Sequence, residues 1–143
     1  MDKNLRREII LDNYQNPYHR KEINDDNYIK INTNNESCID NLDIWFKIEK
    51  DIITDVGFYG EACAISTSAT SIMLRNLVGK STKYAKELII NYQNMINEKE
   101  YDKDLLNDLI VYDEIYLEPN RKNCALLPSK AVERLIEVLE NDN

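Results

Sequence analysis

Leu42-Asp43-Ile44-Trp45-Phe46-Lys47-Ile48 is the stretch whose reading decides the fold. Leu42, Ile44, Phe46 and Ile48 occupy every second position, and a chain that alternates in this way buries one face of a β-strand. Glu49-Lys50-Asp51 reads as a turn, and Ile52 to about Tyr59 as the strand that returns from it. Upstream, Tyr28-Ile29-Lys30-Ile31-Asn32 alternates more briefly. Together the three runs predict an antiparallel meander with one apolar face. Trp45 falls on the opposite face and is expected to be partly exposed.

After Gly60 the apolar spacing becomes helical. Ala64 to Val78 places Ile65, Ala69, Ile72, Met73 and Leu77 on one side, and Gly79 follows where a helix end takes a left-handed residue. Ser81 or Thr82 can cap the next helix, which runs to about Asn97. Asp102 to about Tyr116 reads as a further helix, with the acidic stretch Glu98 to Asp113 as a solvated face. Pro128 suits the first turn of a last helix carrying Val132, Leu135, Ile136 and Leu139. At the other end of the chain, Leu5, Ile9, Ile10 and Tyr14 give Asp2 to about Gln15 an apolar stripe that Asn16-Pro17 terminates. Strands first and helices after indicate an α+β fold, a three-stranded antiparallel sheet packed against several helices, in one domain spanning 1–143.

With 18 basic against 26 acidic residues the formal charge is −8, which argues against a nucleic-acid partner. The sequence has no apolar stretch of membrane-spanning length and no apolar signal-peptide core after its charged start, so no membrane partner is expected and the reading is cytoplasmic. An odd number of cysteines, three, agrees with reduced thiols. His19, the single histidine, lies in the charged segment Tyr18-His19-Arg20-Lys21 and is read as a surface residue.

The chemistry rests with Cys38, Cys63 and Cys124, with Asp40 beside the first. Three thiols and a carboxylate make four ligands of the kind a tetrahedral zinc site uses. If Asp40 continues the alternation of its strand, Cys38 and Asp40 share a face. Cys63 opens a helix, where unpaired amides and the positive end of the dipole stabilise a thiolate. Cys124 follows Arg121-Lys122-Asn123, just before the last helix, beside two cations. Residues alone leave open three unrelated buried cysteines, a structural zinc site and a reactive one. Their placement at element boundaries among polar neighbours favours a shared site.

In order along nearly the whole chain, Asn16-Pro17, Cys38-Ile39-Asp40, Gly60-Glu61-Ala62-Cys63-Ala64-Ile65-Ser66 and Arg121-Lys122-Asn123-Cys124-Ala125-Leu126-Leu127 resemble the IscU/NifU-like proteins of iron–sulfur cluster assembly. The resemblance is to the SufU branch, with its helical insertion between the second and third cysteines. It implies a SufE/NifU-like fold and one Zn2+ per chain on Cys38, Asp40, Cys63 and Cys124. It also implies persulfide transfer from a SufS-type cysteine desulfurase to Cys124 and onward to downstream iron–sulfur assembly proteins, with exchange of a zinc ligand exposing the nucleophile. Arg121 is implied as a thiolate or partner contact, alongside the alternative of a solvated surface charge. Alternatives are an IscU-type scaffold holding a transient iron–sulfur cluster, and a non-catalytic structural zinc domain. Asn123 stands where classical IscU scaffolds carry a histidine, and Ile39 where the family usually has glycine.

Overall fold

A computed structural model describes residues 1–34 and 40–141. The three expected strands are β1 (Ile29–Asn32), β2 (Asn41–Glu49) and β3 (Ile52–Glu61), paired antiparallel in the order β1-β2-β3. Glu49 pairs with Ile52, so only Lys50 and Asp51 form the turn, and both have positive φ, 51° and 64°. Two left-handed residues in a two-residue hairpin match the right-handed twist of the strands they join. Cross-strand rows Ile31–Ile44–Phe58 and Ile29–Phe46–Val56 build the apolar face, and Ile44, Phe46, Val56 and Phe58 are fully buried.

Trp45 departs from expectation: it is only 7% exposed. The cause is the irregular segment after the first helix, which crosses the second face of the sheet. That segment first follows the free edge of β3, where Arg20 bridges to Phe58 and the Phe58 amide donates to the His19 carbonyl at 3.2 Å. Trp45 pairs with Gly57, where a Cβ would lie 2.6 Å from Ile23 Cδ1; the missing side chain lets that segment seat itself against the strand.

Four α-helices follow the sequence periods among the described residues: α1 (Lys3–Gln15), α2 (Ala64–Leu77), α3 (Thr82–Ile96) and α4 (Pro119–Asn141). Asp2, Cys63 and Ser81 cap the first three, and Gly79 takes φ +83° just past α2. Helix α2 is the hub. Its small hydroxyl residues let neighbours approach closely, and each hydroxyl has a partner: Ser71 donates to Asn13 Oδ1 of α1 at 2.8 Å, Thr70 to the Ser66 carbonyl at 2.7 Å, and Ser68 pairs with Tyr112 at 2.5 Å.

Two expectations fail here. Residues 102–116 do not form an α-helix but three short 3-10 turns, Lys103–Leu105, Asn107–Tyr112 and Ile115–Leu117. Leu106, Leu109, Tyr112 and Ile115 are buried at a spacing of three. Side chains three apart eclipse in a 3-10 helix, so this spacing keeps one row inward where an α-helix would rotate it away. Arg6 of α1 clamps the end of the array, donating to Asp113 at 2.7 Å and Glu114 at 2.9 Å. The last helix, moreover, starts at Pro119 and not near Pro128, which lies inside it. Proline suits a first turn, and Pro119 takes that role. Pro128 has no amide to give the Cys124 carbonyl, and the Ser66 hydroxyl of α2 approaches that carbonyl at 3.2 Å.

Candidate metal centre

Gly60 prepares the site. Its φ is +141°, and a Cβ on it would sit 2.2 Å from the Asn41 carbonyl oxygen, so only a bare Cα allows β3 to run this close to the start of β2. Asp40 immediately precedes β2 and Cys63 follows shortly after β3, so this close pairing brings them together. The Cys63 amide donates to Asp40 Oδ1 at 2.8 Å. Ser66 Oγ donates to Asp40 Oδ2 in a short hydrogen bond. Asp40 is 2% exposed, and its carboxylate is thus oriented by two protein donors.

Cys63 is the N-cap of α2: its Sγ accepts the Ser66 amide at 3.4 Å. Sulfur at a helix start faces backbone N–H groups and the positive end of the dipole. Cys124 comes from α4 and is half-buried, as is Cys63. It lies in the second turn of α4, not before the helix as expected, because the helix begins earlier, at Pro119. Helices α2 and α4 pack against each other directly.

One ligand atom from each of Asp40, Cys63 and Cys124 lies within 4.8 Å of the other two. Donors sharing one tetrahedral zinc stand roughly 3.5–4 Å apart, so a modest contraction would close this group on an ion. Two thiols and a carboxylate suit zinc, and oxygen-preferring magnesium or calcium much less. Cys38 and Ile39 lie outside the described residues. Arg121 stands one turn before Cys124 on α4, with its side chain 55% exposed and its Nε 4.0 Å from Glu118 Oε1. His19 is elsewhere, its Nδ1 3.1 Å from the Val56 carbonyl and its ring stacked on Tyr18.

Sequence reasoning quoted Ser66 but gave it no role. Its signal was the spacing Cys63-x-x-Ser66, the N-cap to N3 interval at which capping residues interact. Tyr112 was also missed. Burial pushes its phenol well above the ordinary tyrosine range despite the Ser68 hydrogen bond, and a Coulombic contribution from nearby Cys63 adds to the shift.

Residues 5–137 match the family described as the NifU-like N-terminal domain. This chain belongs to that family. It is 33% identical over 140 residues to the zinc-dependent sulfurtransferase SufU of Bacillus subtilis (strain 168), covering 97% of this chain and 94% of that protein. Over 130 residues it is 26% identical to the iron–sulfur cluster assembly scaffold protein IscU of Thermotoga maritima, with 91% of each covered. A crystal structure of a putative iron–sulfur cluster assembly scaffold protein for the SUF system, from Fervidobacterium islandicum AW-1, superposes with a TM-score of 0.79 at 34% identity, covering 88% of this chain and 92% of that one. A NifU-like N-terminal protein from Brucella abortus superposes at 0.84 with 18% identity, a likeness of fold alone, over 94% of each chain. The expected family and the α+β fold are therefore both borne out. No helix among the described residues is long and apolar enough to cross a membrane.

Proposed function

We propose that this chain is a zinc-dependent sulfur acceptor and transfer protein of iron–sulfur cluster assembly, working in the cytoplasm and loaded by a SufS-type cysteine desulfurase. The convergence of Asp40, Cys63 and Cys124 within 4.8 Å carries the reading. A relative named as a zinc-dependent sulfurtransferase, matched over nearly the full chain, supports it. Cys38 is the fourth ligand in this reading, with one zinc per chain. Bound zinc keeps thiolates deprotonated at neutral pH.

The residues define the rest of the mechanism. Asp40 is held in place by the Cys63 amide and the Ser66 hydroxyl, so it does not need to be ordered when sulfur arrives. Cys124, half-buried on the second turn of α4, retains an accessible side chain for a partner's persulfide. Its thiolate attacks the outer sulfur of the desulfurase persulfide. A sulfur–sulfur bond forms at Cys124, the donor's own sulfur–sulfur bond breaks, and the donor cysteine leaves as a thiolate, so the exchange needs no external oxidant or reductant. Arg121, exposed one turn away, would meet negative charge on the docked desulfurase.

The test is purification without added metal, followed by assay with a SufS-type desulfurase. About one zinc per chain without iron–sulfur absorbance is expected, together with faster cysteine-to-alanine turnover that a folded Cys124→Ala variant fails to produce. Turnover that the parent leaves unchanged, or that folded Cys124→Ala raises as much as the parent does, sinks the transfer reading. A reconstituted cluster that can be passed to an acceptor would establish the scaffold role suggested by the IscU relative.

A further inference from the structure

Pro128 lies within α4 and has no N–H, so the helical bond that another residue at 128 would donate to the Cys124 carbonyl cannot form. The Ser66 hydroxyl occupies that place, 3.2 Å from the Cys124 carbonyl oxygen. The same hydroxyl makes the short bond to Asp40 Oδ2 and lies 3.5 Å from Cys63 Sγ. Ser66 is fully buried. A hydroxyl has one proton to give, so the Asp40 carboxylate and the Cys124 carbonyl compete for it. The next carbonyl along, that of Ala125, accepts the buried Tyr92 hydroxyl at 2.7 Å, which anchors the helix beside the gap.

We propose that Ser66 is a positioning residue of the metal centre and that Pro128 supplies its second acceptor, so that one hydroxyl sets Asp40 at the entry to β2 against the Cys124 backbone in α4. The inference rests on reading Asp40, Cys63 and Cys124 as metal ligands. Ser66 acts through Asp40 and the Cys124 backbone. When the carboxylate's demand for the shared proton changes, the hydroxyl's bond to the Cys124 carbonyl changes in the opposite sense. Events at the oxygen ligand are thereby felt at the backbone of the sulfur acceptor. In an unbroken helix the Cys124 carbonyl would also accept the amide of residue 128, and the hydroxyl would share it with a second donor.

The test compares the parent, Ser66→Ala, Pro128→Ala and the double variant in two measurements: zinc retention against a chromophoric chelator, and the visible spectrum of the cobalt(II)-loaded protein. Circular dichroism of the metal-free proteins checks the fold. Ser66→Ala is expected to weaken zinc about ten- to a hundredfold, as loss of an outer-shell partner does, and to alter the cobalt spectrum. Pro128→Ala returns an amide donor to the Cys124 carbonyl, so Ser66→Ala should cost about threefold less or better in that background, a coupling of neighbouring sites. Parent-like zinc retention and spectrum in folded Ser66→Ala overturn the proposal, and strict additivity overturns the part played by Pro128. Should Ser66→Ala not fold, Pro128→Ala alone decides, a shifted cobalt spectrum supporting the link and an unchanged one refuting it. A parent that retains neither metal overturns the metal-centre reading itself, which separates that failure from this one.

Discussion

The Cys63 amide donates to Asp40 Oδ1 at 2.8 Å, joining the start of α2 to the start of β2 through a bond that involves no thiol. The oxygen donor of the centre is therefore oriented by the fold itself. Asp40→Ala would leave this amide without its acceptor, and the buried Ser66 hydroxyl with the Cys124 carbonyl in place of the carboxylate, at a cost of about 1–3 kcal/mol. Urea unfolding of the metal-free proteins measures it. Asp40→Asn retains an acceptor oxygen and should cost less; equal stability of all three proteins would show the bond to be idle.

Cys63 caps α2 and, in the proposed centre, is also a metal donor; a substitution can separate the two roles. Serine is a strong N-cap, so metal-free Cys63→Ser should melt no lower than the metal-free parent. It should nevertheless lose the zinc response. Zinc at a hundred times its dissociation constant stabilises a folded chain by about 2.7 kcal/mol, and a chelator reverses this. A parent whose melting temperature ignores both zinc and chelator would contradict the metal centre.

Away from the site, Tyr28 donates to Asp55 Oδ2 at 2.5 Å. This hydrogen bond, with smaller contributions from burial and neighbouring carboxylates, pushes the Tyr28 phenol up to about 12. Burial alone would raise the Asp55 carboxyl, but the bonds from Tyr28 and the Val56 amide, with Lys21 and His19 nearby, hold it below the ordinary carboxylate value. The folded state thus keeps the Tyr28 proton where the unfolded chain would release it above about pH 10. Stability from this group is complete below that pH and declines as pH rises towards 12. For Asp55 the sign is opposite: its contribution is present above the unfolded carboxylate pKa and is lost as pH falls through the depressed folded value. Tyr28→Phe should lose about 1 kcal/mol in mid-range and converge on the parent at both extremes. A constant difference across pH would rule the pair out as the origin.

In the 3-10 array, Leu109→Ala should destabilise by about 2–5 kcal/mol, since Leu109 is fully buried in the row of three-residue spacing. Asp108→Ala, one position away and exposed, should stay within about 0.5 kcal/mol. Similar values for the two would mean that the array does not bury the row described here. Thermal denaturation of both variants distinguishes these cases.

The sheet was legible because alternation over Leu42 to Ile48 admits one strand face, and α1 to α3 because their stripes carry caps and stops. Residues 102–116 read as a helix without a stated type, although the strict spacing of three in Leu106, Leu109, Tyr112 and Ile115 is a row that a 3-10 helix keeps in line and an α-helix turns through half a circle. Trp45 was misplaced because the segment around Ile23 that covers its face has no period to announce it. Pro128 suits a helix start on local grounds, whereas a hydroxyl distant in sequence meets the Cys124 carbonyl, which an amide at 128 would bond. Within the candidate site, Asp40, Cys63 and Cys124 stand out in the sequence by residue type and by their place at element boundaries, and the fold brings the three together. The Ser66 bonds could not be read there, because they exist only once α2 and α4 are packed.

Gly60 bears on how freely this sequence can vary. The sequence is rich in asparagine, lysine and isoleucine and has three glycines, and the surroundings of those glycines differ. At Gly79 an added Cβ meets nothing within 4 Å, so only φ +83° restricts the choice, and asparagine can follow it. At Gly60 the Asn41 carbonyl fills the space from the other strand, and any side chain would force β2 and β3 apart beside Asp40. A library randomised at both positions should therefore return several residues at 79 and glycine alone at 60 when selected for zinc retention. The centre's tolerance to mutation is limited by one hydrogen atom on a backbone carbon that would touch no metal.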